Sequence, residues 1–207
     1  MDSNKRKVLG LFALLLIAVT ALIIYEGSCM RAERALRNFS KEIEKGNLGE
    51  ISLTIYCYPT VFTQFPWSIE YLITRCQEDG YVTVVDGAAL AEHADLLRQL
   101  NPSVISLVKH RSVLDARLYY VFENKNGKKI LEVAGSGDHD SLFVNGVEVE
   151  YNTVFYRVII PFLPEIDAKM LEDFMQSKQD EITAYSRSKR PAISQHSARV
   201  LQVELKP

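Results

Sequence analysis

The stretch DARLYYVFENKNGKKILEVAGSGDHDSLFVNGVEVE, residues 115–150, decides the fold of this chain. Its short apolar runs are rich in β-branched and aromatic residues, which is typical of β-strands. Asn-Gly pairs at 126–127 and 145–146 are the turn residues that tight hairpins prefer. The stretch therefore predicts an antiparallel meander of about four strands, at 115–123, 129–133, 141–144 and 147–149.

Helical patterns lie on both sides of this meander. Apolar residues spaced three and four apart predict a helix after Pro164 and others at 31–45, 69–77 and 88–100. The first of these has an apolar stripe that we expect to pack on the sheet: Ala32, Ala35, Leu36, Phe39 and Ile43. Further strands are predicted at 51–58, 81–85, 104–109 and 200–205, whereas residues 151–162 fit either a buried helix or a strand. Together these elements predict one α+β domain, an antiparallel β-meander packed against helices.

An uncharged, proline-free run, VLGLFALLLIAVTALIIY, occupies residues 8–25. As a helix it would be about 27 Å long, close to the hydrocarbon thickness of a bilayer. Twelve of its residues are Val, Leu, Ile or Phe, so insertion is favoured by about 4–7 kcal/mol. The run is predicted to be a retained transmembrane signal anchor. Cleavage as a signal peptide and lipidation at Cys29 are the alternatives, although Glu26 stands where a lipoprotein site has an aliphatic residue.

Lys5, Arg6 and Lys7 abut this run, and positive residues stay on the cytoplasmic side of a membrane. The protein is therefore predicted to be a single-pass cell-membrane protein with a cytoplasmic N-terminus and its bulk outside the cytoplasm. Residues 1–7 are predicted to be a basic cytoplasmic tail, 8–25 the transmembrane helix and 26–46 an amphipathic stem helix. Residues 47–185 are predicted to form an extracytoplasmic α+β domain, and 186–207 a polar tail with a possible terminal strand.

The composition is that of a globular protein, with 47% hydrophobic and 24% charged residues in a chain of 207. The net charge of −2 provides no basic excess for binding nucleic acid phosphates. We therefore expect no nucleic acid partner. The expected partners are the lipid bilayer, through residues 8–25, and a protein of the envelope or membrane.

Three cysteines, Cys29, Cys57 and Cys76, do not form the even set of a disulfide framework. Cys57 and Cys76 would form one disulfide if the domain lies in an oxidising space. The alternative is that both are buried thiols that act as small hydrophobic residues.

The cluster richest in chemical groups is GSGDHD, residues 135–140. Asp138, His139 and Asp140 are residue types that bind divalent metals, so they are the candidate metal ligands. The alternative is a solvated loop between two strands, because Gly, Ser and Asp are common turn residues. No glycine-rich phosphate loop or dinucleotide fingerprint is present, and no cofactor is expected.

Two further sets of residues have a functional and a structural interpretation. Cys57 and His93 would suit a nucleophile and its base, although any few cysteines and histidines offer such a pair. The aromatic residues between 56 and 67 would line a ligand groove or simply pack in the core and at its edge. These aromatic residues are Tyr56, Tyr58, Phe62, Phe65 and Trp67.

The order of anchor, amphipathic helix and small α+β domain resembles that of single-pass membrane-anchored bacterial proteins of unknown function. The segments that carry the resemblance are LTIYCYP at 53–59, RLYYVFENKNGKK at 117–129, FVNGVEVE at 143–150 and FYRVIIPFLP at 155–164. The opening helix, which ends in Lys45-Gly46-Asn47 before a strand, is also similar to that of small cystatin-like or NTF2-like extracytoplasmic domains. These folds host unrelated functions, so the resemblance implies a fold and no activity.

The sequence favours a non-enzymatic binding or interaction module at the cell envelope, and the catalytic residues, if any, are unknown. The first alternative is a metal-assisted hydrolase that uses Asp138, His139 and Asp140. The second is a structural accessory subunit of a membrane complex, whose anchor pairs with other membrane helices.

Overall fold

The computed structural model of the chain describes residues 27, 30–58, 65–108, 112–136 and 142–188, with side chains described as far as residue 185. The predicted anchor at 8–25, the loop residues at 138–140 and the strand at 200–205 lie outside the described residues. Within them, no helix is both long enough and apolar enough to cross a membrane.

The described residues form an α+β domain around a six-stranded sheet in which every neighbouring pair of strands is antiparallel. The strand order is β2-β1-β3-β4-β5-β6. Their bounds are β1 Ile51–Cys57, β2 Val82–Val85, β3 Ala116–Asn124, β4 Lys129–Ser136, β5 Leu142–Val144 and β6 Val147–Val149. The predicted four-stranded meander is confirmed as β3 to β6. Its two Asn-Gly turns have positive φ at Gly127, Asn145 and Gly146, as tight hairpins require.

Within the described residues, six α-helices accompany the sheet: α1 at 30–44, α2 Ile69–Asp79, α3 Gly87–Glu92, α4 Ala94–Leu97, α5 Val154–Arg157 and α6 Glu165–Ser188. Short 3₁₀ helices occupy Asn47–Glu50, Pro102–Val104 and Ile160–Phe162. Ser68 and Asp86 begin α2 and α3 because their side chains accept hydrogen bonds from Tyr71 and Ala89, which satisfies free N–H groups of the first turn.

The helices divide the apolar residues into two clusters on opposite faces of the sheet. The larger cluster contains the whole predicted stripe of α1, and Phe39 meets Phe122 of β3 with ring centroids 4.4 Å apart. The smaller cluster lies under α2, where Leu72 and Cys76 are fully buried. The central strand β3 is therefore covered on both faces, and its first seven residues are all buried.

Two sequence predictions of secondary structure are wrong. The helix expected at 88–100 is broken at His93, whose φ of −108° and ψ of 22° separate α3 from α4. The break lets the His93 ring pack edge-on against Phe162, with centroids 5.0 Å apart. The strand expected at 104–109 is reduced to one bridge, between Leu107 and Val149. The ambiguous segment at 151–162 contains α5 and a 3₁₀ helix.

Candidate functional site

Polar side chains collect at both ends of the sheet. Because the strands are antiparallel, Ile51, Asn124 and Lys129 lie at one end of the sheet. Cys57 and Ser136 lie at the other end. The first end has an open groove, and the second has buried polar groups. Each is a candidate site and offers different chemistry.

The open groove has a volume of about 620 Å³. It lies between the C-terminal end of α1 and the β3–β4 hairpin. Its lining is predominantly polar and consists of Asn38, Lys41, Glu42, Lys45, Asn47, Glu50, Ile51, Asn124, Lys125, Asn126, Lys128, Lys129 and Ile130. We call this surface the lysine groove.

One wall of the lysine groove is one face of α1 and the turn that follows it. Asn38, Lys41 and Glu42 share a face of the helix, and Lys45 continues the i, i+3, i+4, i+7 spacing just after its end. Glu42 is held in place by Asn47 Nδ2 at 2.7 Å and Lys45 Nζ at 2.9 Å. These two hydrogen bonds lower the pKa of the Glu42 carboxyl, so it stays ionised at neutral pH. This wall therefore has a fixed pattern of charge.

The other wall is the tip of the β3–β4 hairpin. Asn124 Oδ1 accepts hydrogen bonds from the backbone N–H groups of Asn126 and Lys128, each at 3.0 Å. Lys125 joins the tip to the preceding 3₁₀ helix, because its N–H donates to Glu50 O and its Nζ lies 2.5 Å from Glu50 Oε2. The backbone of this wall is thus fixed before any ligand arrives.

The charge of the lysine groove is positive. Its described lining has five lysines and two glutamates, a formal charge of +3, whereas the whole chain has a charge of −2. Three of the lysines form ion pairs: Lys45 with Glu42, Lys125 with Glu50, and Lys129 with Glu132. Within the described part of the chain, Lys41 and Lys128 have no carboxylate within 4.0 Å.

At the other end of the sheet, Arg117 and Asp115 form a buried ion pair. Arg117 Nη2 donates to Asp115 Oδ2 at 2.9 Å, and the Trp67 backbone N–H donates to Asp115 Oδ1 at 2.8 Å. The guanidinium lies 4.2 Å from the centroid of the Trp67 ring, within the range of a cation–π contact. Arg117 lies where the β3–β4 register shifts, between Ala116 and Leu118.

A cavity of about 40 Å³ adjoins this pair, between the ends of β1 and β4 and the side chains of α6. Ser136 Oγ faces the buried interior without a hydrogen-bond partner among the described residues. The cavity has room for a water molecule and is far smaller than the roughly 300–1,000 Å³ of ligand pockets. It is therefore not a substrate pocket.

The Cys57 thiol, at this end of the sheet, is not a nucleophile at neutral pH. Burial raises the pKa of Cys57 to about 12, and it raises that of Cys76 to about 12 as well. The reactive thiolate is consequently scarce. No hydrogen bond joins Cys57 to His93 within the described residues, so the structure does not bring together the nucleophile and base that the sequence offered.

Both Cys57 and Cys76 are free thiols in the structure. Cys57 belongs to the larger apolar cluster and Cys76 to the smaller one, on opposite faces of the sheet. In this arrangement the two side chains are separated by the layer of the sheet, which is the physical reason that they are unbridged.

The other predicted site residues are only partly within the described chain. Asp138, His139 and Asp140 lie outside it, and no group of three potential metal ligands occurs among the residues that the structure describes. Of the aromatic set, Tyr58 packs edge-on against Trp67 with centroids 5.0 Å apart, and Tyr56 stacks on Tyr119 at 6.0 Å. These contacts belong to the smaller apolar cluster. Phe65 is 76% exposed, and Phe62 lies outside the described residues.

Sequence reasoning missed the lysine groove altogether. The available signals were a polar stripe on α1 and the lysine-rich turn at 124–129, and neither indicates that the two surfaces face each other. Comparison with protein-family models, curated proteins and solved structures found no match to this chain.

Proposed function

We propose that this protein is a non-enzymatic binding module of the cell envelope, tethered by residues 8–25 with its α+β domain outside the cytoplasm. The observation that supports binding is the lysine groove, an open concavity of about 620 Å³ between two fixed walls. A groove of this size accommodates a small molecule or a segment of a larger ligand.

The groups that line the groove favour binding over catalysis. Among the described residues, its lining contains no Ser, Cys, His, Thr or Tyr. Two of its ionisable groups are stabilised in their charged forms: hydrogen bonds from Asn47 and Lys45 lower the pKa of Glu42, and the hydrogen bond to Glu50 raises that of Lys125. A general acid or base needs a pKa near the working pH, which these shifts oppose.

The test is site-specific photo-crosslinking in intact cells with the full-length protein. A photoreactive amino acid at Asn126, in the groove, is expected to give a discrete adduct. The same amino acid at Lys169, an exposed residue on α6, is the matched control and should give none. Absence of an adduct at Asn126, or an identical pattern at both positions, would contradict the proposal.

A second measurement addresses the hydrolase alternative. The metal content of the purified full-length protein is compared with that of a variant in which Asp138, His139 and Asp140 are replaced by alanine. We expect no stoichiometric metal in either protein. One bound metal ion per chain, lost in the variant, would favour the hydrolase instead.

A further inference from the structure

We infer that the lysine groove is a site for a phosphate-bearing ligand, held between Lys41 on α1 and Lys128 on the β3–β4 hairpin. The inference rests on the proposed binding function and names the chemistry of its ligand. Asn38 and Asn126, one on each wall, have side-chain amides without a hydrogen-bond partner in the described part of the chain and are further donors.

The charge count favours phosphate. After the three ion pairs of the groove are formed, Lys41 and Lys128 remain without a carboxylate among the described residues. A phosphate monoester carries a charge of about −1.5 to −2 at neutral pH and several acceptor oxygens, so one such group matches two lysines. A single carboxylate carries half that charge. The lining residues that the structure describes include no arginine, and lysine binds phosphate as a point charge without the planar geometry of arginine.

The two walls are organised without a ligand. The Asn124 side chain fixes the hairpin turn, and Glu42 fixes the end of α1 through Asn47. Binding therefore costs the ordering of the lysine side chains and little backbone entropy. The negative end of the α1 dipole amounts to about half a charge, which is less than the two ammonium groups supply.

The position of the groove favours a ligand from solution. It lies at the C-terminal end of α1, and the helix from residue 30 to 44 is about 22 Å long. Residue 30 is the end of α1 that follows the predicted anchor in sequence. The groove is thus at the end of α1 that is farther in sequence from the predicted anchor, so we infer a ligand from solution rather than a lipid headgroup.

The test is an isothermal calorimetric titration of the full-length protein with sodium tripolyphosphate, in micelles of an uncharged detergent, which measures the binding affinity. Lys41→Gln combined with Lys128→Gln should weaken binding about a hundredfold, since each charge-assisted contact contributes about a factor of ten. The matched control combines Arg34→Gln and Lys169→Gln, which removes two exposed positive charges outside the groove. Its affinity should change less than about threefold, since distant exposed charges are screened by salt. An equal loss in both double variants, or no binding to the wild type at physiological salt, overturns the inference.

Two further arms identify the ligand chemistry. Citrate tests whether the groove binds carboxylates instead of phosphate. If citrate binds as tightly as tripolyphosphate, the inference that the ligand bears phosphate is overturned. Nanodiscs of phosphatidylcholine with and without phosphatidylglycerol test whether lipid headgroups occupy the groove. A weaker apparent affinity for tripolyphosphate in the anionic discs would overturn the inference that the ligand comes from solution. A groove-specific adduct at Asn126 without tripolyphosphate binding would refute phosphate and leave the binding module intact.

Discussion

Replacing Asp115 by alanine removes the carboxylate that pairs with the enclosed Arg117 guanidinium. The side chains of Arg117 and Asp115 are only 6% and 12% exposed. Removing one partner of a buried ion pair costs about 3–5 kcal/mol, because the remaining charge keeps its desolvation penalty. The Trp67 N–H also loses its acceptor. We therefore expect Asp115→Ala to lower the free energy of unfolding by about 5 kcal/mol, near the upper end of this range.

The assay is thermal unfolding of the full-length protein, followed by circular dichroism and by tryptophan fluorescence. Trp67 is the only tryptophan, and it lies against Arg117, so its emission reports on this site. In a domain of this size 1 kcal/mol shifts Tm by about 2–4 °C, so Asp115→Ala should lower Tm by about 10–20 °C. Circular dichroism separates unfolding from a local change around Trp67.

The matched control is an exposed pair. Arg75 bonds to Glu78 and Asp79 at 2.8 Å each, but surface pairs contribute only about 0–1 kcal/mol, so Arg75→Ala should be nearly neutral. Adding Arg117→Met to Asp115→Ala should restore part of the lost stability, because the buried guanidinium charge is then absent. The reasoning is refuted if Asp115→Ala unfolds no more easily than Arg75→Ala.

Three other measurements test separate features. A Cβ at residue 87 would lie 2.5 Å from backbone atoms of Leu48 and Gly49, so Gly87→Ala should cost about 1–3 kcal/mol in urea unfolding, whereas Gly49→Ala, which has open space, should not destabilise. Burial raises the pKa of Cys57 and Cys76 from 9.0 to about 12 in the native state. The native state therefore binds more protons than the unfolded state above pH 9, and stability should fall as pH rises from about 9 to 12; a flat profile, or the same fall after substitution of both cysteines, would contradict this. External protease on intact cells should digest the domain, and survival of the domain under conditions that digest a known surface protein would reverse the predicted orientation.

Local sequence patterns predicted the elements whose stability is mostly local. The Asn-Gly turns defined the hairpins because their positive φ values depend on the turn residues themselves. The stripe of α1 was readable because one face of a helix repeats every three or four residues, and all five of its members are buried. The break at His93 was not readable, since it reflects the packing of the ring on Phe162, 69 residues further along the chain.

The candidate sites depend on tertiary contacts in the same way. A charged residue in a strand is expected to face solvent, yet Arg117 is buried because Asp115 and Trp67 enclose it. The lysine groove requires α1 to lie beside a hairpin some 80 residues later in the chain. No property of either segment alone predicts that Lys41 and Lys128 line one concavity.

The single strand β3 carries both features, with Arg117 near its start and Asn124 at its end. Seven residues of extended chain place them about 24 Å apart. At that distance substitutions usually act additively unless the whole domain unfolds. Lys41 and Lys128 are exposed, so their replacement should weaken tripolyphosphate binding and leave Tm almost unchanged. Asp115→Ala should lower Tm without weakening tripolyphosphate binding at temperatures where the domain is folded. Stability and binding can therefore be measured separately at the two ends of the sheet, and a groove variant that lowered Tm as much as Asp115→Ala would show that the two ends are coupled.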